Sequence, residues 1–314
     1  MFPPRPVLQA PHSLVMGPAG SGKTSSLATY AKAGIELFVI VTEPTGVDSL
    51  YDSWERLSLD LKLLHYSVVP PTSPGWKALL EMVAKSNLMS YKDLSELKSG
   101  IGKEQMKQYD KLVRSIANFV DDRTGNSFGD VTSWGSGRAF AIDSLSGWSH
   151  IALQNTVGFK PSPHQGEWGI AMGNIHSLLL TLSSDIKCYF TLTAHLEKEP
   201  DEITGMARVT VSTLGKKLAP KVPYFFSEVI RARKDGEGKF RWATIDSDSD
   251  LKNRALPASR EIAQDFAPII AAHQRRLSAS QASSSAAAGS QTIVPLRSLD
   301  QQPTDKEKDK PNGV

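Results

Sequence analysis

The sequence predicts an α/β fold in which a mainly parallel β-sheet is flanked by helices and carries a C-terminal antiparallel hairpin. Short apolar runs alternate with longer helical stretches, as in consecutive βα units. Near the C terminus, two strand-like runs flank "KDGEGK", whose Asp-Gly supplies the positive φ angles of a tight turn. The apolar runs are too short and too continuous for amphipathic helices. They occupy residues 13–17, 37–42, 63–69, 138–143 and 187–194.

The composition and the apolar runs argue against a strongly basic nucleic-acid-binding protein, a membrane-spanning protein and a secreted protein. The chain has 314 residues, of which 40% are hydrophobic and 22% charged, a balance typical of soluble globular proteins. A net charge of +3 is too small to indicate nucleic-acid binding by itself. No run approaches the roughly 20 apolar residues of a membrane span, and the N terminus has no apolar core of a secretory signal. We therefore expect a cytoplasmic protein without a membrane partner. The single cysteine, Cys188, lies in a strand-like run and is expected to be buried and inert.

Helical patterns separate the predicted strands and define one core with an insertion. They cover 22–33, 46–58, 76–122, 145–157 and 166–184. The connection after the third strand is far longer than a usual crossover. We interpret 76–130 as a helical insertion with a break near Gly100 and Gly102, and 121–137 as a loop.

The C-terminal third has a different pattern. Strands are predicted within 206–212 and 223–247, followed by a closing helix over 259–277. The predicted organisation is thus one core over 1–272, with the end of the closing helix and a disordered tail over 273–314. The tail from residue 278 lacks aromatic residues and has too little apolar surface to fold. Its apolar patch at 292–299 is either a linker fragment or a docking motif.

A glycine-rich segment between the first strand and the first helix predicts a phosphate-binding loop. "GPAGSGKT" at 17–24 matches G-x-x-x-x-G-K-[ST], in which backbone amides and a helix N terminus surround an anion. Lys23 would contact the β- and γ-phosphates and Thr24 would hold Mg²⁺, so ATP and Mg²⁺ are the expected ligands. The candidate nucleotide-binding residues of this segment are Gly17, Pro18, Ala19, Gly20, Ser21, Gly22, Lys23, Thr24 and Ser25.

Three further polar residues end predicted strands, where side chains of a parallel sheet converge on one cleft. Asp143 ends "RAFAID" and is a candidate Mg²⁺ contact, or alternatively a cap of the next helix. Glu43 is the candidate for orienting or deprotonating water, or a solvated loop carboxylate. Ser144, not a second acid, follows Asp143, which favours Glu43 as the base. His195 is either a sensor of the γ-phosphate or a capping or core histidine.

These motifs, in this order, resemble the RecA-like ATPases, and among them the RecA-like branch of the phage recombination proteins of the Sak group. The resemblance covers roughly residues 12–272 and includes "TEPTGVDSLY", "FAIDSLSGW" and "YFTLTAHLEKE". It implies an ATPase that binds single-stranded DNA and pairs or anneals strands. It also implies a homo-oligomer, a single-strand-binding protein as a partner, and the cytoplasm of a bacterial host if the chain is phage-encoded.

By position, the resemblance places two DNA-facing loops at 159–168 and 196–215. Cations and one aromatic residue in or next to these loops are candidate DNA contacts: Lys160, Trp168, Arg208, Lys216 and Lys217. The segment "LEKEPDEITG" departs from this expectation because it has four acids against one lysine. Asp48 and Tyr51 follow Glu43 where such proteins hold adenine, although a helix cap and a core tyrosine explain them equally well.

Three other functions remain open at this stage. The chain could be a P-loop phosphotransferase, although no lid with several arginines is evident between residues 100 and 180. It could be an ATP-dependent switch or assembly module with little turnover. A packaging motor is a weaker alternative, because no acid cluster of an attached nuclease is evident.

Overall fold

The computed structural model describes residues 9–97, 102–160, 162–200 and 207–288. The strands are β1 His12–Met16, β2 Glu36–Val41, β3 Leu64–Val68, β4 Phe119–Val120, β5 Ser127–Gly129, β6 Arg138–Asp143, β7 Tyr189–Ala194, β8 Leu196–Pro200, β9 Ala207–Val211, β10 Glu228–Lys234, β11 Phe240–Ala243 and β12 Ile262–Ala263. The α-helices are α1 Lys23–Lys32, α2 Gly46–Leu57, α3 Gly75–Leu88, α4 Tyr91–Ser95, α5 Gln108–Ala117, α6 Leu145–Val157, α7 Gln165–Asp185 and α8 Ala267–Ala288.

Within the described residues, eight strands form one sheet in the order β12-β11-β10-β1-β7-β6-β2-β3. Pairing is parallel from β10 to β3 and antiparallel from β10 through β11 to β12. The predicted fold class, an α/β fold with a mainly parallel sheet and a C-terminal antiparallel hairpin, is confirmed. The hairpin turns at "KDGEGK", but the positive φ, 79°, is at Gly238 and not at the predicted Asp-Gly pair. The strand predicted within 206–212 is β9, which pairs with β8 in a separate two-stranded sheet.

The central strands are apolar because both faces of the sheet are covered by helices. Side chains alternate between two buried clusters, so that Phe38 of β2 packs on one face and Val39 on the other. Phe140 and Phe190 stack beside Phe38 in the first cluster, which α6 and α7 cover. This double burial fixes the register, since a slip by one residue would exchange the two faces.

The predicted insertion differs from the structure. The described part of the helical pattern at 76–122 contains three α-helices and the strand β4, instead of helices separated by one break, and the predicted loop at 121–137 contains β5, which pairs with β4. The first break occurs before the predicted glycines, because Ser90 and Asp93 form a capping box that starts a new helix. Gly102 does adopt a left-handed conformation, with a φ of 71°, while residues 98–101 lie outside the described residues.

The closing helix also differs from its prediction. It begins at Ala267 rather than at 259, because β12 and a turn occupy the preceding residues. It continues to Ala288, through residues that we predicted to be tail. The reason is that the serine-rich run also contains many alanines, which have the highest intrinsic helix propensity. The patch at 292–299 lies outside the described residues.

No helix in the described part of the chain is long and apolar enough to cross a membrane.

The insertion packs on the core through α5. Substitutions at two adjacent residues of this helix test that packing. Leu112 is fully buried in the first cluster, whereas Val113 is 39% exposed on the same helix. We expect Leu112→Ala to lower the free energy of unfolding by about 2–5 kcal/mol, because a buried cavity forms. Val113→Ala is the matched control and should cost less than about 1 kcal/mol. Urea unfolding measures both, and equal losses would contradict this account of α5.

Candidate functional site

The candidate site lies at the carboxyl ends of the central parallel strands. The phosphate-binding segment joins β1 to α1, while Asp143 is the last residue of β6. Glu43 follows β2, and His195 follows β7. The sheet order places β7 and β6 between β1 and β2. All four segments therefore lie at the carboxyl ends of the parallel strands, and the structure brings the predicted residues of these segments together.

The segment 17–24 has the backbone that an anion-binding loop requires. Gly20 and Gly22 have φ angles of 68° and 86°, a region that glycine adopts without steric cost. At Gly17 a Cβ atom would lie 2.5 Å from the carbonyl oxygen of Ala232, so a larger residue would displace the loop from β10. Helix α1 begins at Lys23 without a side-chain cap. Its first amides are thus left to bind an anion.

Lys23 and Ser21 supply side-chain donors inside this loop. The Nζ atom of Lys23 donates to the carbonyl oxygens of Gly17 and Pro18, each at 2.9 Å. Burial lowers the pKa of Lys23, and the nearby carboxylates of Asp143 and Glu43 oppose that shift. The Ser21 hydroxyl is buried with no hydrogen-bond partner among the described residues. An unpartnered buried donor beside an ammonium group is the environment that a phosphate would satisfy.

Asp143 is buried behind the loop and is held by two threonines. Its Oδ2 atom accepts from the Thr24 hydroxyl at 2.7 Å, and its Oδ1 atom accepts from the Thr193 hydroxyl. Burial raises the pKa of Asp143, and these hydrogen bonds oppose the rise. No cluster of three His, Cys, Asp or Glu side chains that could hold a metal ion occurs in the described residues. A Mg²⁺ ion at Thr24 and Asp143 would therefore take its other ligands from phosphate and water.

Glu43 forms a hydrogen-bonded group with His195 and Ser144. Its Oε1 atom accepts from the Ser144 hydroxyl at 2.6 Å and lies 2.9 Å from Nε2 of His195. The bond from His195 is the main cause that lowers the pKa of Glu43 to about 2, with burial opposing and Ser144 assisting. Glu43 is therefore a carboxylate at neutral pH. Neither bond uses Oε2, which remains available to a water molecule.

The ends of β2 and β6 are joined by side-chain bonds that fix the position of Glu43. The Thr42 hydroxyl donates to the carbonyl oxygen of Ser144 at 2.9 Å and accepts from its amide at 2.7 Å. Helix α6 approaches this pair so closely that a Cβ atom on Gly147 would lie 2.3 Å from Oγ1 of Thr42. Sequence reasoning did not identify Thr42, Thr193 or Gly147. Only their contacts across strands reveal their role.

A chain of hydrogen bonds leads from His195 to the segment that contains Lys216 and Lys217. The backbone amide of Ser212 donates to the carbonyl oxygen of His195 at 2.8 Å. The hydroxyls of Thr213 and Ser149 lie 2.9 Å apart, which holds the same segment against α6. His195 is therefore joined by its main chain to the residues that precede Lys216 and Lys217.

The two residues predicted to hold adenine, Asp48 and Tyr51, both lie on helix α2. Asp48 is exposed in the first turn of α2. The Tyr51 hydroxyl lies 3.4 Å from that of Tyr66 on β3. Strands β7, β6 and β2 separate β3 from β1, so this contact is on the far side of the sheet from the start of the phosphate loop.

A cavity of about 230 Å³ lies beside α1, next to the phosphate loop. Ser25 of the loop, Phe240, Arg56 and Gln264 line it. Gln264 donates to the carbonyl oxygen of Ser21 at 2.9 Å, which ties the cavity to the phosphate loop. Sequence reasoning missed Phe240 and Gln264. Phe240 is the first aromatic residue after the predicted hairpin turn, and it would have been found if β10 had been placed parallel to β1.

The candidate DNA-binding residues differ in accessibility. Lys160 is buried in an ion pair with Glu167, at 2.8 and 2.9 Å, and Trp168 packs against the core. Arg208 forms an exposed ion pair with Asp250. Lys216 and Lys217 are exposed on the segment that follows β9. Residues 201–206 of the second predicted loop lie outside the described residues.

Comparison with known proteins gives only distant structural similarity. No protein-family model matches the chain, and no curated protein matches it. The RadB recombinase is 16% identical with a TM-score of 0.39, and the match covers 82% of this chain and 90% of that one. An ATPase from the type III secretion system of pathogenic bacteria is 12% identical with a TM-score of 0.35, covering 73% and 52%. Similarity this low carries no information about the function of the chain.

The contact between Thr193 and Asp143 makes a measurable prediction. Thr193→Val leaves an oxygen of a buried carboxylate without its donor, which should lower the free energy of unfolding by about 1–3 kcal/mol. Thr191→Val, two residues earlier on β7, removes a bond between neutral groups, to the Tyr30 hydroxyl at 3.0 Å. It should therefore cost less. Urea unfolding compares the two variants, and a larger loss for Thr191→Val would refute the assigned role of Thr193.

Proposed function

We propose that this chain is an ATP-hydrolysing protein whose turnover is coupled to binding of single-stranded DNA. The observation that supports this best is the position of Glu43. Its carboxylate is held by His195 and Ser144 beside the pair formed by Thr24 and Asp143. Hydrolysis of a terminal phosphate requires a metal contact and a group that orients water, next to a phosphate loop.

In this proposal the loop amides and Lys23 bind the phosphates and balance their charge. Thr24 and Asp143 would hold Mg²⁺, which neutralises negative charge on the phosphate oxygens. Glu43 accepts a hydrogen bond from the attacking water through Oε2. With a pKa of about 2 it is a weak base, so it orients the water rather than removing a proton in advance.

The nucleoside would occupy the cavity lined by Phe240 and Arg56. An aromatic face and a guanidinium group can both stack on a base. Gly22 is required here, because a Cβ atom at this position would lie 2.7 Å from Cγ of Phe240. The phosphate loop and the ring are therefore in van der Waals contact, as one bound nucleotide would require.

His195 would connect nucleotide state to DNA binding. It shares Oε1 of Glu43 with Ser144, and its own carbonyl oxygen holds the segment that leads to Lys216 and Lys217. These exposed lysines are the proposed contacts to DNA phosphates. Lys160 is not included, because its charge is already neutralised by Glu167. A homo-oligomer, a single-strand-binding partner and a cytoplasmic location remain part of the proposal.

Glu43→Gln is the most direct test of catalysis. We expect turnover of ATP to fall by about 100-fold or more, because the neutral amide oxygen is a weaker hydrogen-bond acceptor for the attacking water than the carboxylate. Binding of ATP, measured by calorimetry, should persist because the loop is unchanged. Glu55→Gln, an exposed position on α2, is the matched control and should retain turnover. Equal turnover in both variants would leave an ATP-dependent switch as the better function.

Coupling to DNA is tested by measuring ATP turnover with and without oligothymidylate. We expect stimulation by DNA that is lost in Lys216→Ala/Lys217→Ala, while turnover without DNA is unchanged. The control Lys77→Ala/Lys85→Ala removes the same charge from α3 and should keep the stimulation. If DNA never changes turnover, the DNA-dependent function is wrong and a phosphotransferase becomes the function to test, by product formation from ATP and a nucleoside.

A further inference from the structure

A second polar cavity lies at the amino ends of the parallel strands, whereas the phosphate loop lies at their carboxyl ends. It has a volume of about 330 Å³ and is bordered by the residues that precede β1 and β10 and by one side of α8. Since β1 and β10 are parallel, their amino ends lie together there. Five residues of β1, at about 3.3 Å each, separate the cavity from the phosphate loop.

Three cations converge on this cavity: Lys252, Arg254 and Arg276. Most other arginines of the core are neutralised by a carboxylate, as Arg231 is by Asp246 and Asp248. By contrast, none of the three cations forms an ion pair in the described part of the chain. All three residues are exposed, and one carboxylate, that of Glu228, lines the same cavity, so the excess of positive charge there favours an anion.

The positions of these cations are fixed by the main chain. Val229 and Lys252 exchange two backbone hydrogen bonds, at 2.6 and 3.2 Å. Arg254 lies two residues further along the chain, where its backbone amide donates to Glu228, and it lines the same cavity as Lys252. Arg276 of α8 donates to the carbonyl oxygen of Arg254 at 3.3 Å, which brings the third cation to the same place.

Glu228, at the start of β10, holds the backbone of Arg254 in place. It is 1% exposed, and both of its carboxylate oxygens accept from the amide of Arg254 at 3.1 Å. Burial raises the pKa of Glu228, and the amides of Arg254 and Ala255 together with the charges of Arg276 and Arg254 oppose the rise. Its hydrogen bonds to Arg254 are directed at the backbone amide. Glu228 therefore positions the loop, and its one negative charge offsets only part of the three positive charges at the cavity.

An exposed aromatic residue borders the same cavity. Tyr224 is 78% exposed, although most large aromatic residues of the chain are buried. Stacking of a nucleobase on an exposed ring is favourable and tolerant of sequence. The cavity thus combines phosphate-binding cations with one stacking surface, at a volume in the lower part of the range of small-ligand sites.

We propose that this cavity is a second nucleotide-binding site, which takes a single nucleotide unit with its phosphate on Arg254, Arg276 and Lys252 and its base on Tyr224. The unit is supplied either by a free nucleotide or by a strand of nucleic acid. This site is independent of ATP hydrolysis and of the proposed DNA contacts at Lys216 and Lys217.

The test uses the full chain with Lys23→Ala, Lys216→Ala and Lys217→Ala, so that the phosphate loop and the proposed DNA segment do not contribute. Binding of thymidine 5′-monophosphate and of fluorescent decathymidylate is measured by calorimetry and anisotropy. Addition of Arg254→Ala/Arg276→Ala should weaken binding by about tenfold or more. For decathymidylate it should also reduce the slope of log affinity against log salt concentration by about one or more.

The matched control adds Arg260→Ala/Arg275→Ala, two exposed arginines that do not line the cavity, and should change affinity less than about twofold. Tyr224→Ala should weaken binding of decathymidylate and leave the salt slope unchanged, and this single surface change does not threaten the fold.

Each outcome either supports or overturns the proposal. Binding of both probes supports it with a free nucleotide as a source, and binding of decathymidylate alone supports it with a strand as the source. The proposal is overturned if neither probe binds, or if the Arg254/Arg276 and Arg260/Arg275 variants bind equally. It is also overturned if polyglutamate competes as well as decathymidylate, because the site would then accept an acidic protein. None of these results depends on whether DNA stimulates ATP turnover.

Discussion

The buried carboxylate of Asp143 is the constraint on which the rest of the site depends. A carboxylate without water is costly unless hydrogen-bond donors surround it. The donors come from different parts of the chain, Thr24 at the start of α1 and Thr193 on β7. The phosphate loop, β6 and β7 must therefore be in place together. Their parallel pairing on a sheet that is covered on both faces meets this condition.

The second group of contacts builds on the first. Because Asp143 ends β6, Ser144 lies opposite Thr42 at the end of β2, and the two exchange hydrogen bonds. Glu43 follows directly and receives the Ser144 hydroxyl and the His195 ring. A low pKa for Glu43 is a consequence of this arrangement rather than of its sequence neighbours. In the proposed function this carboxylate orients water, and the hydroxyl of Ser144 helps to hold it.

The charged residues at the two ends of the parallel strands are arranged differently. At the carboxyl ends, helix α1 points its amides at the phosphate loop, and the cations there are balanced by Asp143 and Glu43. At the amino ends, Lys252, Arg254 and Arg276 surround a cavity, and the buried Glu228 bonds to the backbone amide of Arg254. None of these three cations forms an ion pair in the described residues, and the single carboxylate of Glu228 offsets only part of their charge, which motivates the proposal of an anionic ligand there.

The sequence by itself predicted the five strands β1, β2, β3, β6 and β7, the glycine-rich loop and the three strand-end residues, because burial on both faces and loop backbone geometry depend on local patterns. It did not predict β12, whose residues lie within the predicted closing helix, because a two-residue strand is set by its pairing with β11. The capping box of Ser90 and Asp93 is a local signal that was not recognised. Tertiary structure alone decided that Tyr51 contacts Tyr66 and that Phe240 lies beside Gly22. It also decided that Lys160 is neutralised and that Arg254 meets Arg276. Such contacts join residues far apart in the chain, and their partners are fixed only when the strands are ordered in the sheet.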